Sequence, residues 1–181
     1  TSVIKSLSKA MQVPCVIVNV NELEHKDAFI GKSKNYTHAD ASVVFNALLQ
    51  KKAGYQAIIV LDEIDKVSNR EIYEILYTIL DYNFADTGIF DEFLEVRIPL
   101  NNFFFIATAN DINGLPSSLA DRMQLVEVDG YSIDEKMNIV KKFIIPRLLK
   151  EYHLDSKLFT MYDDAIMALI RYDDSPGVRY L

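Results

Sequence analysis

Tryptophan is absent from the 181 residues, and cysteine occurs once, at Cys15. A single thiol closes no internal disulfide, which fits a reducing compartment. Cys15 lies in the apolar run VPCVIVNV and reads as a buried, inert thiol rather than a nucleophile. Three histidines, His25, His38 and His153, are scattered without the spacing of a zinc site. No apolar stretch approaches the ~20 residues that span a bilayer, and the first residues do not read as a signal peptide. Repeats and Pro- or Ser-rich segments are missing too. Positive charge is in deficit: 19 Lys and Arg stand against 26 Asp and Glu, a net charge of −7. That balance repels phosphate backbones and argues against nucleic acid as a broad partner.

Half of the residues are apolar and a quarter are charged, enough for a real core under a soluble surface. The length suits one domain, or one domain with a small appendage. Val3, Ile4, Leu7, Ala10 and Met11 share a helical face, and VIVNV after Pro14 reads as a strand. Residues 21–40 are polar and irregular. Residues 41–53 read as a helix with Val44, Phe45, Leu48 and Leu49 inward, closed by Gly54. AIIVLD, 57–62, is an uninterrupted aliphatic strand. Ser68 and Glu71 have the spacing of a capping box ahead of the stripe Ile72, Ile75, Leu76, Ile79 and Leu80. Residues 82–98 read as a loop or hairpin with LEVRI extended. FFFIATA (103–109) and QLVEV (124–128) read as two further strands. After about residue 130 only helical patterns remain. Ser132 and Glu135 form a second capping-box pattern, Pro146 interrupts or restarts a helix, and another helix follows Asp163 and Asp164. Strands alternating with helices, then helices alone, imply an α/β layer followed by a small helical piece.

The strand AIIVL ends abruptly in Asp62 and Glu63. In open α/β sheets ligands sit beyond the carboxyl ends of the strands. Adjacent carboxylates repel, and a bound cation would relieve them. The pair resembles the Walker B arrangement of P-loop ATPases, where an aspartate holds Mg²⁺ and the next acid orients the attacking water. The alternative is a buried strand entering an acidic turn and helix cap. FIATAND places Asn110 just past another strand, where an amide could hold that water or the γ-phosphate, or simply form a turn. Arg122 in SSLADRM suits an arginine finger or a surface salt bridge. PGVRYL places Arg179 beside Gly177.

In this order, LDEID, FIATAN, LADRM and GVRYL resemble an AAA+ ATPase. The wording FIATAN, LADRM, GYSIDEK and IIPRLLKE is similar to the ATPase module of the Lon proteases. The resemblance covers nearly the whole chain and is weak at 21–50 and 82–92. It implies an AAA+ P-loop-type parallel sheet flanked by helices (1–129), followed by a partial α-helical lid (130–181). It implies ATP and Mg²⁺ as cofactors, with Asp62 as the metal acid, Glu63 polarising water, Asn110 as sensor 1, Arg122 as a finger acting in trans, and Arg179 as sensor 2. Tyr36 in AFIGKSKNYTHA becomes the candidate pore-loop residue for gripping substrate, with Phe29 as runner-up.

The phosphate-loop pattern G-x-x-x-x-G-K-[ST] occurs nowhere, and Gly31–Lys32–Ser33 is a decoy because position 26 is lysine. The opening TSVIKSLSKAM resembles the residues just after that loop's lysine. Thr1 would then ligate Mg²⁺, with Ser2 beside the nucleotide. On this reading the chain begins just after that lysine and lacks the first strand, so either it is a cut piece or something else fills the gap, and it stops before a complete lid and a protease domain. A polypeptide of these residues alone is expected to bind ATP poorly. The implied function is the unfoldase module of an ATP-dependent serine protease. It would be a hexameric homo-oligomer working on unfolded or damaged proteins, without a membrane, in the cytoplasm or mitochondrial matrix. The alternatives are a remodelling AAA+ ATPase without a protease, or a non-hydrolysing AAA+ scaffold.

Overall fold

A computed structural model of the chain describes residues 2–50, 56–155, 159–173, 175, 177 and 178. Its strands are β1 (Cys15–Asn19), β2 (Ala57–Asp62), β3 (Ile89–Asp91), β4 (Val96–Ile98) and β5 (Phe103–Ala107). Its α-helices are α1 (Ser2–Met11), α2 (Asp27–Ile30), α3 (Val43–Leu49), α4 (Arg70–Ile79), α5 (Ser117–Ala120), α6 (Ile133–Ile139), α7 (Ile145–Glu151) and α8 (Asp163–Tyr172). They fall into two compact units, Thr1–Leu125 and Val126–Leu181.

The first unit is built on a parallel sheet of order β1-β2-β5. The central strand β2 is buried on both faces, which is why its sequence is aliphatic without alternation. Ala57, Ile59 and Leu61 enter the main core with Phe29, Val44, Ile64, Ile72 and Leu76, while Ile58 and Val60 meet Ile4 of α1 on the other face. Each such side chain contributes at most about 1.5–3 kcal/mol by leaving water. The stripe expected on α1 is only partly used: Ile4 is buried, but Val3, Leu7 and Met11 are exposed. In α3, Val44 is buried and Leu49 is turned to solvent. Gly54, expected to close that helix, lies outside the described residues. The segment before β5 forms the antiparallel hairpin β3-β4, as its extended pattern implies.

Two local expectations are corrected. The cap of α4 is Asn69, not Ser68: its amide oxygen accepts the Glu71 N–H, and its Nδ2 donates to the Glu24 carbonyl. An amide can cap the helix and tie down a loop at once. QLVEV is not a strand among the described residues. Leu125, Val126 and Val128 are exposed, because an alternating pattern forms a strand only where a partner strand offers its backbone.

The second unit is helical. Ser132 and Glu135 form the expected capping box at α6. A π-turn, Val140–Ile144, leads into α7, and Pro146 stands in that helix's first turn, where a missing N–H costs little. Val140, Ile166 and Ile170 form its core, with Met137, Ile144, Ile145 and Met161 packed around them.

Candidate active site

The parallel register sets the strand ends level. Asn19 lies opposite Asp62, and Leu61 opposite Ala107, so Asp62 and Thr108 emerge together at the carboxyl rim. The Thr108 hydroxyl donates to Asp62 Oδ1 at 2.6 Å and accepts the Glu63 N–H at 3.1 Å. The Ile64 N–H donates to the Thr108 carbonyl at 3.0 Å, and the Thr108 N–H to the Leu61 carbonyl at 2.9 Å. One threonine thus orients the first acid and fixes the backbone of the second.

That fixing matters because Glu63 sits in the left-handed region, with φ 58° and ψ 44°. A residue with a Cβ pays roughly 1–2 kcal/mol there, and the conformation persists because its neighbours hold it. The Glu63 carboxylate is engaged at both oxygens. Its Oε1 meets Lys66 Nζ at 2.6 Å, and its Oε2 accepts from Asn21 Nδ2 at 3.3 Å. Both ends of the ion pair are substantially exposed, and such pairs are worth about 0–1 kcal/mol. Glu63 is therefore free in energetic terms to exchange Lys66 for a water molecule.

Asn110 is exposed two residues beyond Thr108. Its backbone is tied to the acid turn: Asp65 Oδ2 accepts the N–H groups of Asn110 at 3.2 Å and Asp111 at 3.3 Å. Asp62, Glu63 and Asn110 therefore belong to one rim, knitted by Thr108 and Asp65. Two polar atoms near this rim, Asn19 Oδ1 and Asp65 Oδ1, are buried without a hydrogen-bond partner among the described residues.

Arg122 is engaged at the end of α4. Its guanidinium pairs with Asp81, donates to the Tyr77 carbonyl at 3.2 Å and lies 5.6 Å from the Tyr77 ring centre. A backbone hydrogen bond from Asn83, helped by Arg122, holds the Asp81 carboxyl below its ordinary range. Within one chain Arg122 is held in an ion pair with Asp81. Ser2 is an exposed residue opening α1, and its carbonyl accepts from the Ser6 hydroxyl. Thr1 and Arg179 lie outside the described residues. Tyr36 is 65% exposed in an irregular segment, with Lys32 Nζ 6.0 Å from its ring. Phe29 is corrected: at 0% exposure in the main core it cannot grip anything. Gly31 closes α2 instead of opening a helix, which agrees with its exclusion as a phosphate loop. Cys15 is partly buried, and burial pushes its thiol up, away from reactivity.

Among the described residues no group of three or more His, Cys, Asp or Glu could hold a metal by itself. Asp62 supplies a hard carboxylate oxygen, already oriented by Thr108. One carboxylate is what a magnesium ion carried by phosphate and water needs from protein, so the residues present fit Mg²⁺ in that role.

Sequence reasoning missed Thr108, Asn21, Asp65 and Asp81. Thr108 was findable, since the residue after a strand level with β2 must face Asp62. The others meet their partners across 42, 45 and 41 residues of chain, and no local pattern carries that.

Comparison with known proteins bears on the family. The model of the ATPase family associated with various cellular activities (AAA) matches residues 1–130. The whole chain aligns with Lon protease 2 of Borreliella burgdorferi at 33% identity, covering 23% of that protein. It aligns likewise with the Lon proteases of Amoebophilus asiaticus (32% identity, 22% covered) and Campylobacter jejuni (34%, 23% covered). The chain thus spans under a quarter of the relatives it matches. On the family match and the α/β architecture that carries it, the chain belongs to the AAA ATPase family.

Proposed function

We propose that this chain is the ATP-hydrolysing unfoldase module of a Lon-like ATP-dependent protease, with 1–129 as its nucleotide-binding α/β part and 130–181 as part of a helical lid. The observation that carries this reading is the rim itself: Asp62 and Glu63 leave a buried parallel strand under the control of Thr108, beside Asn110.

Asp62 offers a carboxylate oxygen to Mg²⁺, with Thr1 as the hydroxyl ligand and Ser2 next to it on the nucleotide. Magnesium, when bound, neutralises charge on the phosphate oxygens. Glu63 releases Lys66 and polarises the water that attacks the γ-phosphoryl group. The Asn110 amide fixes that water or the γ-phosphate, so the reactants meet in line without searching. Arg122 leaves Asp81 to stabilise developing charge on a nucleotide held by a neighbouring copy, and Arg179 is the candidate sensor 2. In a hexameric ring these steps move a protein substrate past Tyr36 toward a protease domain. Similarity to Lon proteases along the full chain supports this assignment over a remodelling ATPase without a protease. The cytoplasm or the mitochondrial matrix is the compartment we propose with this function; separately, no described helix is long and apolar enough to cross a membrane.

The test is Glu63→Gln in the full-length protein. It keeps the shape and removes the charge, so ATP turnover should fall about 100-fold or more while binding of a fluorescent ATP analogue stays within about twofold. Unchanged turnover would reject Glu63 as the water-polarising acid and restore the scaffold reading.

A further inference from the structure

We propose that Asp65 is a positioning residue for hydrolysis, acting through Asn110. The inference rests on the reading of Asn110 as the group that fixes the attacking water or the γ-phosphate. Asp65 follows Glu63 by two residues, inside the tight turn Ile64–Lys66. Its Oδ2 accepts two consecutive backbone N–H groups, those of Asn110 and Asp111, and so holds the segment from which the Asn110 side chain projects. The side chain of Asn110 is exposed, so its placement depends on the backbone beneath it. The far side of the same loop is braced as well. Asp111 caps the turn Ile112–Gly114 through the Asn113 N–H at 2.9 Å. Gly114 packs so closely that a Cβ there would stand 3.1 Å from the Asp65 carbonyl oxygen. The turn that carries the acid pair and the loop that carries Asn110 are thus interlocked at Asp65.

The second oxygen of Asp65 sharpens the point. Asp65 Oδ1 is buried with no hydrogen-bond partner among the described residues. A buried carboxylate oxygen left unpaired is costly, and an apolar residue would serve stability better. What a hydrophobic side chain cannot supply is an acceptor for two adjacent N–H groups. That requirement accounts for a carboxylate at this position, and it concerns the loop geometry around Asn110 rather than the core.

The prediction is a split between turnover and binding. In the full-length protein, Asp65→Ala should lower kcat for ATP about tenfold or more, with KM and the affinity for a fluorescent ATP analogue within about twofold. Asp65→Asn keeps an oxygen that can accept both N–H groups and should return kcat to within about threefold of the parent. If Asp65 acts through Asn110, the double variant Asp65→Ala/Asn110→Ala should turn over no more slowly than the slower single variant. Losses that multiply in the double variant overturn the proposal and leave the role of Asn110 standing. An Asn110→Ala variant with parental turnover removes the role of Asn110 and this inference with it. Parental kcat in Asp65→Ala, or equal loss in Asp65→Ala and Asp65→Asn, also overturns it. Should Asp65→Ala fail to fold, Asp65→Glu takes its place: its longer stem displaces the carboxylate and should lower kcat at constant KM, and parental kcat there refutes the idea.

Discussion

Thr108 shows how much one side chain of the rim does. Its hydroxyl is spent twice, donating to Asp62 and accepting from the strained Glu63 backbone. Valine has nearly the same shape and can do neither. Thr108→Val should therefore leave the Glu63 N–H without its partner and lower stability by about 1–3 kcal/mol. It should also release Glu63 from its left-handed turn and slow ATP turnover. A thermal melt and a steady-state ATPase assay on the full-length protein check both, and a variant that matches the parent in both would deny Thr108 this role. The same residue marks where sequence reading falls short. The acids are legible because two charges ending an aliphatic strand are anomalous. The threonine is an ordinary residue made important by register alone.

At the scale of elements, the hairpin β3-β4 and the segment before α3 are joined through Asp91, a fully buried carboxylate. It accepts N–H groups from Ser42 at 2.8 Å, Phe93 at 3.0 Å and Leu94 at 2.9 Å. Burial alone would push its carboxyl up, but the hydrogen bonds from Leu94, Ser42 and Phe93 outweigh this and hold it below the usual range. A depressed folded pKa means stability that is present above the unfolded value, near pH 4, and lost as pH falls through the folded one. Asp91→Asn should thus destabilise the protein by about 1–3 kcal/mol at neutral pH, with the gap closing below about pH 4. Melting temperatures from pH 3 to pH 7 for both proteins decide it, and a gap independent of pH would contradict the assignment. Elements that carry their own signal, such as β2, the Ser132 cap and the hairpin, were legible from sequence. Elements that need a distant partner were not. QLVEV has the pattern of a strand and no described neighbour, and the apolar face of α1 is covered only at Ile4.

At the scale of the whole molecule, the arrangement of Arg122 says most about assembly. Within one chain it is engaged by Asp81 and Tyr77. The order of the motifs was readable in advance, but whether the arginine serves its own chain or a neighbour depends on geometry between copies, which no run of residues encodes. If Arg122 acts in trans, the two halves of an active interface come from different subunits and can be supplied separately. Full-length Glu63→Gln subunits keep Arg122, and Arg122→Ala subunits keep Glu63. Each pure protein should be nearly inactive. When they are mixed in equal amounts and allowed to exchange, an interface pairing an intact acid with an intact arginine should arise about a quarter of the time. Turnover per site should rise toward that fraction of the parental value, and only after mixing. An arginine acting within its own chain predicts no gain at any ratio. A mixture as inactive as its components, with subunit exchange verified by a fluorescent label, would therefore return Arg122 to the ion pair with Asp81 as its whole function.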